Sequence, residues 1–523
     1  MKKFLFFLII LGIVVGIIVG YQSFFSGDTE DDNLIDPVIT NDDNIQYELN
    51  LSISDIDTLN PLRTKNSHIA DILKLVYEPL VSYDEENQLE PCLAVEWARK
   101  DAVTWIMKLK ENVLWHGGKP FSSEDVKFTF DLLLDSEMES IYSKNILNVK
   151  AVDVVDNSTI VITLYEEEPY FISNLTFPII PKYYFMNDGI MDEEKAIHMV
   201  GTGAYQYESS NESMIVLVAN TSWHVSDSIK LRKINLLKYA TYGEAIKGFK
   251  SSEVDLIYTN MHNWKEKFGF IGINVHNFDS YEYEVIIPNT ENNILQDANI
   301  RQAIMEAINR EYMISNIYDG NATIRDMPIA PSSKYYVPNT EYNAEKAKQT
   351  LVKAGWENNG KEWTKNNKKL NFTLIVPEND EDKIKCAEKI VQYLSEISIH
   401  ITVKKLSWSD FEKSIRAGKF ELALASFEIK NEYQVQDLVS DSGEKNYARY
   451  HNTEMEQIIK ELKNSADDVY RGHMKEFIEL YTEELPYIGL YFKQNMLLSN
   501  KSVKGQYESV ASDPYRNIIN FSK

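Results

Sequence analysis

VTWIMKLKENVLWHGGKPFSSEDVKFTFDLLL, running from Val103 to Leu134, is the stretch whose reading decides the fold class. Val103, Trp105, Met107 and Leu109 fall on one side of a period-two pattern, with Thr104, Lys108 and Lys110 on the other. That alternation predicts a half-buried strand. Val113, Leu114 and Trp115 predict a short second strand, stopped at His116-Gly117-Gly118, where glycine permits the positive φ of a tight turn. A helix should follow. Ser122 is a suitable N-cap, Glu124 and Asp125 suit the positive helix end, and Phe121 can staple onto Val126 across the cap. Val126, Phe130, Leu133 and Leu134 then repeat at helical spacing as one apolar face. The stretch reads as a hairpin and a capped helix inside a mixed α/β domain.

The wording of the stretch carries a resemblance. Trp105, Leu109, Val113, Trp115-His116, Gly118, Pro120-Phe121, Asp125-Val126, Phe128 and Thr129 resemble, in order, the signature of the family 5 extracellular solute-binding proteins. These are the receptors of peptide, nickel and related ABC importers. Gly117 departs from the pattern, since the family usually has Asp there. Other strings extend the resemblance in order: DTLNP ending at Pro61, YEPLV at Tyr77–Val81, EPCLAVEW at Glu90–Trp97, Pro181-Lys182 and GTGAY at Gly201–Tyr205. Asn220 to Trp223, Glu253 to Leu256, Asn299 to Arg310, Asn343 to Trp356 and Pro486 to Leu490 continue it. The likeness covers Ile45 to about Val503. It implies an α/β, two-lobed periplasmic-binding-protein-like fold (class II) with an additional small domain. The implied division is lobe I over 45–80, 201–286 and 486–523, an inserted small domain over 81–200, and lobe II over 287–485. The run of strands and helices from Leu370 to Ala425 fits an α/β lobe by its own periodicity.

Composition narrows the function classes. A chain of 523 residues predicts several domains rather than one core. A net charge of −25, from 54 Lys and Arg against 79 Asp and Glu, argues against nucleic acid or an anionic membrane surface as partner. Its plain consequence is an acidic, solvated surface.

Lys2 and Lys3 precede an apolar run from Phe4 to Gly20, about 17 residues and close to the minimum for a membrane span. The flank Tyr21 to Phe25 offers no small-x-small cleavage site, and no Cys stands before Cys92 to take a lipid. No Lys or Arg follows the run until Arg63, so the positive-inside bias puts the N-terminus in the cytoplasm and the remainder outside. The expectation is a signal anchor over 1–26, with a cleaved signal as the alternative. Residues 27–44 are acidic and aperiodic and read as a disordered tether.

No signature for bond-making chemistry stands out. The nine histidines include no H-E-x-x-H and no i, i+4 pair, and there is no G-x-S-x-G, Walker A or C-x-x-C. No catalytic residue, metal site or cofactor is therefore expected. Cys92 and Cys386 read as two thiols, with a disulfide as the alternative.

The ligand-contacting residues come from the resemblance. It implies a cleft lined by Lys65 and Ser67 after the LNP loop, by Tyr258, Asn260 and Met261, and by Glu284. It adds Tyr142 of the small domain, and Trp408 and Tyr491. In peptide-binding relatives an aromatic residue is followed, three positions on, by an Asp that pairs with the ligand's ammonium group. Here the aromatic is Phe427, three positions on stands Lys430, and Glu428 lies between them. The implied function is a membrane-tethered, monomeric receptor that captures a solute, in this reading an oligopeptide, for an ABC permease and its ATPase subunits. A sensing module without transport and a secreted hydrolase are the alternatives.

Overall fold

Apolar residues, alternating in some strands and nearly continuous in others, build the strands seen in the computed structural model, which describes residues 47–523 apart from 87, 188–189, 192, 226–228, 270, 332, 334, 336–340, 431 and 465–466. The apolar run Phe4–Gly20 and the segment 27–44 lie outside the described residues. Among the described residues no helix is long and apolar enough to cross a membrane.

Thr104–Leu109 is a strand, with Trp105, Met107 and Leu109 buried. Its partners are Ala94–Asp101 and Thr159–Leu164, and with Val149–Asp156 they form a four-stranded antiparallel sheet. The second strand expected at Val113–Trp115 is only a single bridge, Leu114 to Pro120. Gly118, at φ +75°, folds the chain back with its N–H on Trp115 O at 2.7 Å, and Pro120, opposite Leu114, has no N–H to extend the pairing.

The helix follows at Ser123–Leu134 with Ser122 as its cap residue. Asp125 accepts from the Ser122 N–H at 3.0 Å, so the reciprocal half of the capping box falls on Asp125. Val126, Phe130 and Leu133 are buried as the spacing predicts, but Leu134 is 40% exposed. Phe128 and Thr129 are buried in its place, because this helix is packed by Val149–Asp156 and by the short helix Lys182–Phe185.

The main sheet has eleven strands. Its order runs Tyr205–Ser210, Met214–Ala219, Lys233–Tyr239, Glu48–Ser54, Leu256–Thr259, Ile488–Asn500, Ile273–Pro288, Leu422–Glu428, Asn371–Pro377, His400–Leu406, with Ala322–Ile324 beside Ile488–Asn500. Glu48–Ser54 pairs in parallel with both neighbours, and so does Asn371–Pro377. A two-lobed chain suggests two separate sheets, and here the ladder is continuous. The reason is length: Ile273–Pro288 and Ile488–Asn500 have 16 and 13 residues, enough to pair with each other and with strands on both flanks.

Apolar burial nonetheless divides at those two strands. One core joins residues between Leu49 and Phe278 to Leu497–Phe521, with a satellite from Ala245 to Leu498. Two others lie on either side of the sheet between Tyr283 and Phe492. Two helices meet at the end of the stretch from Asn299 to Arg310, Ala298–Ala307 and Arg310–Ile317. Ile308 is extended between them, and the Asn309 side chain caps the second by accepting from the Tyr312 N–H at 2.9 Å. Both cysteines are free thiols.

Candidate functional site

The sequence motifs converge on knots that set the chain's course. Asp125 also accepts from the Lys182 N–H at 2.9 Å and from Trp115 Nε1 at 3.2 Å. Burial pushes this carboxyl up from its ordinary value, although all of these donors oppose the shift. His116 Nδ1 accepts from the Gly201 N–H at 3.2 Å while Nε2 donates to Gly203 O at 3.0 Å, which assigns the neutral tautomer. Its pKa is lowered, mainly by burial. Gly201 is required there: a Cβ would sit 1.9 Å from Val76 O. Glu78 accepts from Trp223 Nε1 at 3.1 Å and contacts His224 Nε2 at 2.8 Å. Asp57 holds the LNP loop, accepting from the Lys65 N–H and from Thr64 Oγ1, both at 2.7 Å.

The two long strands cross where their ladder breaks. Asp279 pairs with Gln494 and Tyr283 with Phe492, so Ser280, Tyr281 and Glu282 bulge opposite Lys493 alone. Glu282 lies 2.6 Å from Lys493 Nζ. Glu284, wholly buried, takes Lys383 Nζ at 3.0 Å and the Ser426 hydroxyl at 3.0 Å, with Lys493 Nζ at 3.4 Å. Burial is the largest effect on both lysines and works against their charge, but Glu284, Glu282 and Asp380 together prevail and push them up. Glu282 is lowered: burial opposes its charge, and Lys493 and Lys383 prevail. His262, from the loop after Leu256–Thr259, packs edge-on against Tyr318 at 4.5 Å. Burial first and Lys493 second lower its pKa to about 4.

On the other face of the bulge, Tyr281 lies 5.9 Å beneath the Lys430 ammonium, and its hydroxyl bonds Ser512. Near it opens a cavity of about 450 Å³. Tyr142, Lys74, Glu90, Asp513, Tyr515 and Arg516 are among its walls. Arg516 Nη1 and Glu90 Oε1 pair at 2.7 Å and Lys74 donates to Ser512 O at 2.5 Å, so polar groups at the rim are largely engaged with one another. The arrangement suits binding. One group of three, Glu461, His473 and Glu476, brings possible metal-ligating atoms within 4.8 Å of one another. None of the three lines this cavity.

Comparison with known sequences decides the family. Residues 88–435 match the bacterial extracellular solute-binding proteins, family 5, middle region. The chain belongs to this family. The oligopeptide-binding protein AppA of Bacillus subtilis is 23% identical over 90% of each chain. The dipeptide-binding protein DppE of the same organism is 24% identical over 83% of this chain and 84% of its own. Among solved structures, a nickel ABC transporter protein of Bacillus halodurans superposes with TM-score 0.79 at 22% identity, covering 91% of this chain and 99% of that one.

Within this solute-binding protein the residues nominated from sequence scatter. Tyr142 lines the cavity. Tyr258 stacks on His68 at 6.3 Å and tilts against Phe278. Lys65 and Ser67 are exposed, Lys65 pairing with Glu139 at 2.7 Å. Asn260 is exposed and Met261 packs against the satellite core. Glu284 lies in the lysine cluster. Tyr491 is buried beside it, bonded to Tyr318 Oη at 3.1 Å and 3.2 Å from Cys386 Sγ. Phe427 is buried between Tyr447 and Tyr487. Lys430 and Glu428 pair with each other at 3.1 Å. Trp408 is 64% exposed, resting on Phe411.

Lys383, Lys493, Lys74 and Tyr515 were not nominated. For Lys493 a signal existed: it is the one charge in the otherwise uncharged run Ile488–Ser499.

Proposed function

We propose that this protein captures an oligopeptide between the two parts of the main sheet and hands it to the permease and ATPase of an ABC importer. The observation that carries the reading is the pair of long strands, the only described strands that cross between separately cored parts, with a bulge at their crossing and a cavity alongside. In this reading the parts are two lobes and an inserted small domain, divided near residues 80, 200, 286 and 486, and the bulge is their hinge. The names of AppA and DppE support a peptide as the ligand class. Lys430 pairs with Glu428 at 3.1 Å, so the peptide's ammonium group would have to displace Lys430 from that carboxylate or be met elsewhere in the cleft.

The test is mass spectrometry of whatever co-purifies with the exported region. Peptides released on denaturation support the reading. Histidine-chelated nickel, or no ligand together with failure of a mixed peptide pool to bind, sinks it. The run Phe4–Gly20 would tether the receptor beside its permease. Such a protein pellets with membranes after a high-salt wash. Recovery of a mature chain beginning near Ser26 in the medium would overturn the tether.

A further inference from the structure

The two parts of the protein touch at a place that involves neither long strand. Tyr170, just after the four-stranded sheet, reaches the helix Thr453–Asn464, 292 residues away in sequence, and its hydroxyl donates to Leu462 O at 3.1 Å. Leu462 lies in the last turn of that helix, where carbonyls have no intrahelical donor. The Tyr170 ring also meets Tyr470 edge-on at 5.9 Å, and Tyr470 meets Tyr335 in the same way at 5.9 Å. Tyr470 is buried, so the surface that Tyr170 contacts belongs to an ordered core.

Tyr170 is itself held in place. Phe171 and Ile172, next in sequence, are buried in the other core. Tyr170 O accepts from the Ser173 N–H at 3.0 Å and the Ser173 hydroxyl at 2.8 Å. Glu168 accepts from Asn174 Nδ2 at 2.7 Å and from Asn148 Nδ2 at 2.9 Å. The ring therefore projects from a rigid base onto a rigid surface.

We propose that Tyr170 is a brace, holding the four-stranded sheet against the helices Thr453–Asn464 and Asp467–Glu484 and so setting the separation of the two parts seen here. The crossing strands alone would leave that separation loose, because Ser280–Glu282 has no ladder partner on Ile488–Asn500 at the point of bending. A further attachment, remote in sequence and additional to the His262–Tyr318 contact, limits that freedom. Movement of the four-stranded sheet away from Thr453–Asn464 and Asp467–Glu484 must first break the Tyr170 contacts. The four-stranded sheet thus acquires a conformational role that does not depend on which solute is bound.

The test uses the full chain without ligand, carrying fluorophores on Leu147→Cys and Val352→Cys. Both positions are exposed, at 73% and 61%, one beside the four-stranded sheet and one in the other part. Cys92, half-buried at the cavity, and Cys386 are first changed by Cys92→Ala and Cys386→Ala, so the dyes go only to the introduced cysteines. Single-molecule energy transfer then reads the ratio of displaced to braced molecules. Tyr170→Phe keeps the ring and loses one hydrogen bond, and should raise that ratio about fivefold. Tyr170→Ala loses the ring contact as well and should raise it about 30-fold. A wild-type distribution already dominated by displaced molecules overturns the proposal. So does a Tyr170→Phe chain, folded by circular dichroism, whose ratio stays within about twofold of wild type.

Discussion

Asp125 shows how much one short side chain can join. Its two oxygens serve the Ser122 and Lys182 amides and the Trp115 indole, on three different segments, and it is nearly inaccessible. Asp125→Ala should cost about 3 kcal/mol of unfolding free energy, combining a lost cap with buried donors left unpaired. Asp131→Ala, which removes only an exposed pair with Lys127, should stay within about 0.5 kcal/mol. Urea unfolding of the two variants checks this, and equal losses would show that Asp125 is not a knot. His262 makes a different prediction. Its folded pKa, about 4, lies below the usual 6.5, so the unfolded chain binds the extra proton first. Its contribution to stability is full above about pH 6.5 and is lost as pH falls toward 4. His262→Gln should flatten the stability profile in that window relative to wild type. His68 and His116 are lowered by burial too and slope the same way, so the difference between the two proteins is the readout. Parallel profiles would remove His262 from the account.

At the scale of elements, the two long strands combine apolar burial with a charge cluster in which Lys493 of one strand and Lys383 of the helix Glu381–Glu396 meet Glu284 of the other. Ion pairs of this kind add little net stability, but removing one partner leaves charge stranded. Glu284→Leu should therefore destabilise by about 3–5 kcal/mol, since Lys383 and Lys493 would lose their shared buried carboxylate. Adding Lys383→Met should restore part of that loss, a coupling that a double-mutant cycle measures. Strict additivity of the two changes would show that the cluster does not act as a unit. The same strands explain why the sheet is continuous: an element of 16 residues exceeds the width of either flank and must pair with both.

For the whole molecule, a ligand held between two parts ties them together and stabilises the folded chain by mass action. A peptide present at 100 times its dissociation constant adds about 2.7 kcal/mol. Differential scanning calorimetry of the ligand-stripped protein should show a higher Tm with a mixed oligopeptide pool and an unchanged Tm with nickel chloride alone. A rise with nickel only would reverse the ligand assignment.

The sequence by itself determined the motif-bearing elements and, through them, the family. Period-two burial in Thr104–Leu109, the cap at Ser122 and the helical spacing of Val126, Phe130 and Leu133 are local, and local patterns are legible because each residue's neighbours in sequence are its neighbours in space. Tertiary structure alone decided the rest. Val113–Trp115 kept only one bridge because its partner Pro120 has no N–H to donate, and Leu134 gave up its place in the core to Phe128, because a strand and a short helix pack that helix. The nominated residues scattered for the same reason. Phe427 and Tyr491 went into cores while Lys383 and Lys493, distant in sequence, met at Glu284. Which side chains share a charge cluster depends on strand register and crossing, and those are set by pairings between segments about 200 residues apart.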